Sequence, residues 1–577
     1  MTAIMTDTLV VGSGAGGLAA AVTARLGGLD VIVVEKEPLF GGASARSGGW
    51  LWIPCNPHAR EAGIADSPAE ARRYLQHEAA NHFDGERVDA FLANGPEMVS
   101  FFEKNTAVKF VLGPAFSDYH PDAPGAKPGG RSIVAEPFDG RELGVEIKRL
   151  RPPLPEITFI GMMIGSGKEL LHFFNVTRSV KSAGYVGMLL ARYARDLALH
   201  GRAMRLTNGN ALIGRLAKSA LDLGIPIRTS SGLRDLIVRD GRVIGGIVDT
   251  PEGPVEIHAR RGVVLASGGF PRNAERRKAL YPHAPTGEEH YSPAPPGNTG
   301  DGLGLAERVG AAVVTDYPNP AAWAPVSRVP RRDGSIGLFP HFIDRAKPGV
   351  IAVTPAGRRF VNEANSYHDF MQGLFRATPK GAEVRALLIT DHPTLRRYGL
   401  GFVKPFPVPL TPVLANGYLK KGRTLRDLAI ATGIDPEAFE ATIRDFNETA
   451  RRGEDPAFGR GSTAYNRYLG DPDVKPNPCV APIETGPFYA VEVVPGELGT
   501  FAGIRCDADA RVLDESGAPI PGLYAAGNDA ASIMGGNYPG GGITLGPAMT
   551  FGYIAARHMQ HHPIAPSDQE LPQGTRA

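Results

Sequence analysis

Three glycines near the start of the chain carry the first recognisable chemistry: Gly12, Gly14 and Gly17, in the run Gly12-Ser13-Gly14-Ala15-Gly16-Gly17. In a GxGxxG turn the first glycine permits a tight bend. The second lets backbone approach a pyrophosphate, and the third allows close helix–strand packing. A helix opening at Ala15 and Gly16 aims its N–H groups and the positive end of its dipole at phosphate. The motif alone is weak evidence. Its context is stronger: the apolar run 8–11 predicts a buried strand before it, a helix reaches to about Leu26, and the run 31–34 predicts a second strand. Glu35 and Lys36 follow that strand, and the acid is placed to accept hydrogen bonds from ribose hydroxyls.

A second small-residue loop comes only a few residues later, Gly41-Gly42-Ala43-Ser44-Ala45-Arg46-Ser47-Gly48-Gly49. It suits backbone running close against a flat ring and a diphosphate, which a nicotinamide enzyme does not need. FAD is therefore the expected cofactor, with Gly42, Ala43, Ser44, Ser47, Gly48 and Gly49 as candidate contacts. Ser267 and Gly268 end another buried apolar run, 262–266, and join the set. So do Gly527 and Asn528, in a polar turn through Asp529 suited to a ribityl chain, and then Gly542, Thr544 and Leu545.

These residues need two separated halves of one domain to hold them. The opening strand–helix–strand unit, a hairpin around Asp240-Gly241 and the run 262–266 lie in the first half. From about 286 to 484 the texture is Pro-rich and mixed, without strand–helix alternation, and residues 522–527 then return to the first kind of strand and turn. A helix from about 546 to 561 follows, and the tail after Pro563 reads as disordered polar sequence. The expected fold is α/β: a discontinuous Rossmann-like FAD-binding domain (1–285 and 485–577) with an inserted α+β catalytic or capping domain (286–484).

Composition excludes several function classes. Lys and Arg number 62 against 60 Asp and Glu, so no basic field points to nucleic acid. Cys55, Cys479 and Cys506 lie far apart, with neither metal spacing nor a disulfide framework, which fits a reducing compartment. No metal site is expected. No stretch approaches the ~20 apolar residues that span a bilayer, and the N-terminus has no signal-peptide pattern. A cytoplasmic location is expected, with association to a membrane surface left open.

The glycine motifs, Asp118-Tyr119-His120-Pro121, Gly300-Asp301-Gly302, the run from Gly357-Arg358-Arg359 to Asn362-Glu363, and GNDAASIMGGNYPGGGITLGPAMTFGYIAA over 527–556 together resemble one family. It is the fumarate reductase and succinate dehydrogenase flavoprotein superfamily, and within it the 3-ketosteroid Δ1-dehydrogenases. The resemblance spans nearly the whole chain. It departs at an insertion over about 141–190 and at Ser366, where the family has a proline. Against dicarboxylate-reducing relatives, Tyr367 stands in place of a proton-donating arginine, Tyr538 in place of a carboxylate-gripping arginine, and Gly499 in place of a histidine. Without those cations the site does not suit a dianion. Ala43 stands where membrane-complex relatives attach FAD covalently, so the FAD is expected to be noncovalent.

The resemblance implies a ketone desaturase. Tyr538 O–H and the Gly542 N–H would bind the carbonyl oxygen and stabilise enolate charge. Tyr367 would take the α-proton, the flavin the β-hydride, and Tyr119 would hydrogen-bond the base. A tyrosine of ordinary pKa ~10 is a poor base at neutral pH, and any one of 16 tyrosines is more often a packing residue. His368 and Asp369 form the rival acid–base pair beside Tyr367, while Trp50, Trp52 and Phe116 suit either a pocket wall or ordinary core. The expected partners are an apolar ketone, a 3-ketosteroid or a smaller cyclic ketone, and an electron acceptor that the sequence does not name. An enoate or fumarate-type reductase and a flavin-binding protein without turnover are the alternatives.

Overall fold

The computed structural model describes residues 3–561, so the tail expected to be disordered lies outside the described residues. Among the described residues the first sheet has eight strands. Its centre is the strand Ala3–Val11, parallel to Gly253–Leu265 on one side and to Val31–Val34 on the other. Val10, Val33, Val263 and Val264 are fully buried, as strands covered on both faces must be. Pro519–Ala525 extends the sheet beyond Gly253–Leu265, also in parallel, so the end of the chain completes what its beginning started. The hairpin Gly232–Arg239 and Arg242–Thr250 adds to it in antiparallel fashion.

The helix Ala15–Leu26 lies over this sheet and packs on the closing helix Leu545–His561. Ten of its twelve residues are buried, which accounts for a composition of small and aliphatic side chains. The insertion folds as a 3₁₀ segment, Gly140–Arg149, followed by the helices Lys168–Phe174 and Val180–His200. No helix among the described residues is long and apolar enough to cross a membrane.

The second sheet has six strands among the described residues, and its ladders are antiparallel. Its central strand is Phe488–Thr500, paired with Ala321–Pro330 and with Ala386–Asp391. This corrects the expected boundary at 485, because an almost wholly buried strand between two partners belongs to the inserted unit. The boundary at 285 shifts too: Pro295, Gly297, Asn298, Asp301 and Gly302 line the cleft of the first unit. The α/β class with an inserted α+β unit stands.

Candidate active site

A cleft of about 1060 Å³ of open space runs along the ends of the first sheet's parallel strands. It is walled by Gly12, Gly14, Ala15, Gly16, Glu35, Lys36, Gly42, Ala43, Ser44, Ser47, Ser267, Gly268, Gly527, Asn528, Thr544 and Leu545. Gly12 has φ +105°, and a Cβ there would fall 2.2 Å from the Ala266 carbonyl oxygen. Only glycine fits that turn.

The helix beginning at Ala15 has first-turn N–H groups with no partner inside the helix. The Ala15 N–H donates to the Ser44 hydroxyl at 3.1 Å, joining the two glycine loops. Glu35 accepts from Ser13 N–H at 3.2 Å and from Glu37 N–H at 3.0 Å. A carboxylate has room for further donors. Backbone donors at a helix start and a buried acid at the next strand end fit the diphosphate and ribose of FAD.

Some expectations change here. Gly17, Gly48, Gly49 and Gly542 do not line the cleft. Gly17 and Gly49 instead allow close approach to the Gly12 carbonyl and the Asn208 backbone, Gly48 is exposed, and Gly542 packs on the backbone of Trp50. Asp529 also turns away from the expected ribityl position. Its carboxylate accepts the Ser267 and Gly269 N–H groups at 2.5 and 2.8 Å and so ties the late turn to the middle one. Glu37, Arg151, Ser231, Asn298 and Asp301 line the cleft without having been expected; the Gly300-Asp301-Gly302 motif was the one signal for any of them.

Beside the cleft, four buried tyrosines from four distant segments meet. The Tyr119 hydroxyl donates to that of Tyr367 at 3.2 Å. The rings of Tyr367 and Tyr538 meet edge to face, with centroids 5.0 Å apart. Tyr538 lies in the same loop as Thr544, which lines the cofactor cleft. Tyr465, which carried no sequence signal, packs its ring 4.4 Å from that of Tyr119. Burial pushes Tyr119 and Tyr367 well above the usual tyrosine range and Tyr538 up to about 12.

Local structure explains the placement. Ser366, the departure from the family's proline, caps the helix Tyr367–Ala377 by accepting the Asp369 N–H at 3.1 Å. Tyr367 is thereby the helix's first residue. His120 lies between Glu78 and Asp369, with Nδ1 and Nε2 at 2.8 and 3.0 Å from their oxygens. Burial pulls the imidazole's pKa down, but the two carboxylates more than offset this and raise it to about 11. Asn537 donates to the same Glu78 at 2.7 Å. Each of Tyr119, Tyr367 and Tyr538 is thus within two residues of one polar clamp.

The rival pair at 368–369 is committed elsewhere. His368 Nδ1 accepts the Trp323 N–H at 3.1 Å, and burial lowers its pKa to about 4. Asp369 serves the clamp. Trp52 is core, stacked on Phe91 with its indole N–H on Asp118, whereas half-buried Trp50 and Phe116 and exposed Tyr468 form an aromatic wall. Gly499 has a steric reason: a Cβ there would meet the Asn528 side chain at 2.0 Å.

Fold and cleft define a flavin-dependent oxidoreductase. Residues 7–545 match the family described as FAD binding domain, and the chain belongs to that family. More particularly, it is a 3-ketosteroid Δ1-dehydrogenase-like member. It is 41% identical over 573 residues to the 3-oxosteroid 1-dehydrogenase of Mycolicibacterium smegmatis, covering 96% of this chain and 97% of that protein. It is 43% identical over 554 residues to the 4-oxocyclohex-2-ene-1-carboxylate 5-dehydrogenase of Sinomonas cyclohexanicum, covering 96% and 93%. The crystal structure of 3-ketosteroid Δ1-dehydrogenase from Sterolibacterium denitrificans, in complex with 1,4-androstadiene-3,17-dione, matches with a TM-score of 0.89 at 36% identity, covering 96% and 99%.

Proposed function

We propose that this chain introduces a C=C bond next to the carbonyl of a cyclic ketone, with a 3-ketosteroid as the leading substrate. The carrying observation is the convergence of Tyr119, Tyr367 and Tyr538, the first two joined hydroxyl to hydroxyl and the third packed on both rings, where dicarboxylate chemistry would call for arginine forks. Bound FAD supplies the two-electron acceptor for the β-hydrogen, leaving as hydride. Tyr367 takes the α-proton, and the electron pair of that C–H bond becomes the new π bond. Tyr538 O–H and Gly542 N–H hold the carbonyl oxygen while charge builds on it. Tyr119 donates to the oxygen of Tyr367 and so stabilises its phenolate form. The aromatic wall of Trp50, Phe116 and Tyr468 supports a flat, apolar ring system.

A smaller substrate is the second reading, favoured by the identity to a dehydrogenase of a 4-oxocyclohexene carboxylate. Anaerobic bleaching of the flavin separates the two. Androst-4-ene-3,17-dione is expected to bleach it, and 4-oxocyclohexanecarboxylate is the competing arm. Efficient fumarate reduction with a low-potential dye, without bleaching by either ketone, would overturn the desaturase reading.

FAD is held without a covalent bond, because Ala43 offers no nucleophile; flavin should leave with the supernatant on acid precipitation. Three cysteines without a disulfide support a reducing, cytoplasmic setting. Exposed Val145, Ile160, Leu171, Val180 and Met188 on the insertion, with Lys181 beside Val180 and Arg195 and exposed Leu199 just beyond its end, support contact with an anionic membrane surface, which vesicle flotation tests.

A further inference from the structure

The insertion over about 141–190 takes no part in the desaturase chemistry, yet its first segment runs beside the cofactor cleft. The Phe40 N–H donates to the Arg149 carbonyl and the Arg151 N–H to the Phe40 carbonyl, each at 2.9 Å. Leu150 is thereby bridged in parallel to the residue before the second glycine loop, and it is buried there. The Arg149 guanidinium reaches the Ile227 carbonyl and the Thr229 hydroxyl at the edge of the first sheet. Buried Asn210 then donates to the Arg151 carbonyl at 2.8 Å and to the Ala45 carbonyl at 3.3 Å. Backbone bonds, a packed leucine and a shared amide fix Arg151 against the loop 41–49.

The Arg151 side chain lines the cleft, although the residue is only 4% exposed. Its Nη2 meets the Leu39 carbonyl and a Glu37 carboxylate oxygen, both at 3.3 Å. Its Nε is buried and has no hydrogen-bond partner among the described residues. A guanidinium carries five N–H donors, so these two contacts leave donors unused, and a buried donor without a partner costs free energy. Glu35, Glu37 and Asp301 are the acids that line the cleft, and Lys36 is its other cation. The Lys36 ammonium is taken by Thr299 and Asp301 at 2.9 and 2.8 Å. The diphosphate of FAD brings further negative charge into this lining. A planar fork of N–H donors matches phosphate oxygens.

We propose that Arg151 is a phosphate-binding residue of the FAD site, and that the start of the insertion serves to deliver it. Glu37 and the Leu39 carbonyl orient the fork through Nη2, and its unused N–H groups meet the diphosphate. The proposal concerns retention of the cofactor and does not depend on which ketone is oxidised. It rests on the reading of FAD as noncovalent, which acid precipitation of the wild type decides separately.

The test dilutes FAD-loaded enzyme at low ionic strength and reads released flavin by its fluorescence. Arg151→Met should raise the FAD dissociation constant ~10–100-fold, the range for losing a hydrogen bond to a charged group. Arg151→Lys, which keeps the charge without the fork, should recover part of that loss. The rival account is that Arg151 only neutralises Glu37, whose carboxylate would otherwise repel the cofactor. The double variant Arg151→Met/Glu37→Gln separates the two. FAD stays weakly held there if Arg151 meets the phosphates, and recovery to the wild-type affinity overturns the proposal. An unchanged dissociation constant in Arg151→Met overturns it as well. Should Arg151→Met fail to fold, Arg151→Gln decides by the same readout, because it keeps an N–H donor for the Leu39 carbonyl without the charge.

Discussion

The cofactor cleft and the tyrosine cluster share the loop that carries Tyr538 and Thr544, yet they are built from different material. Backbone makes the cleft: glycine turns, a helix start, and loops tied by Ser44 and Asp529. Side-chain hydroxyls make the cluster, drawn from residues 119, 367, 465 and 538 and held by a charged clamp. The difference teaches where each region is fragile. A cleft of backbone fails when an atom is added, and a cluster of hydroxyls fails when one is removed.

The largest effect belongs to the cleft. Gly12→Ala would force a Cβ to within 2.2 Å of the Ala266 oxygen at φ +105°, so the purified protein should lose its FAD and its yellow colour. Gly48→Ala is the contrast: that residue is exposed, and its nearest neighbour, Trp50 Cδ1, would lie 3.5 Å from the new Cβ. Full flavin content in Gly12→Ala would break the comparison.

The cluster answers to subtraction. Tyr367→Phe should keep FAD while substrate-dependent reduction falls ~10²–10⁴-fold, the usual contribution of a positioned base. His368→Ala is the control, because its Nδ1 already accepts the Trp323 N–H. If stopped-flow shows normal reduction in Tyr367→Phe and collapse in His368→Ala, with flavin bound in both, the base has been misassigned. Tyr538→Phe should slow reduction by ~10²–10³-fold through lost stabilisation of the enolate. An unchanged rate there would remove Tyr538 from the carbonyl contact.

The same difference decides what could be read from the sequence. A backbone turn is encoded over a few adjacent positions, so Gly12 to Gly16 and Gly42 to Ser47 announced the cleft by spacing alone. Hydroxyls that meet across 248 residues of chain, as Tyr119 and Tyr367 do, leave no local spacing, and family resemblance supplied them. Tyr465 had neither signal. The strand Phe488–Thr500 was misassigned for a related reason: its apolar pattern states that it is buried, not which sheet buries it.

The smallest expected effect tests what holds the hydroxyls in register. His120 follows Tyr119, Asp369 lies two residues after Tyr367, and Asn537 precedes Tyr538, so the clamp ties three segments that share no secondary structure. Its imidazole has a folded pKa raised to about 11 by the two carboxylates against the pull of burial, above the ordinary value near ~6.5. A group raised in this way contributes its full stability below the unfolded pKa and loses it as pH climbs through the folded one. The carboxylate side runs the other way, since Asp369, depressed by His120 despite burial, loses its contribution as pH falls through its folded value. The clamp should therefore be strongest near pH 6. His120→Gln should cost about 3 kcal/mol there by urea unfolding, the lower end for a buried charge pair broken by removing one partner. The gap from wild type should narrow steadily as pH rises above ~7, while the rate of flavin reduction falls only several-fold. A gap that stays constant across that range would mean that His120 is neutral in the folded protein, and that the three tyrosines are held by packing instead.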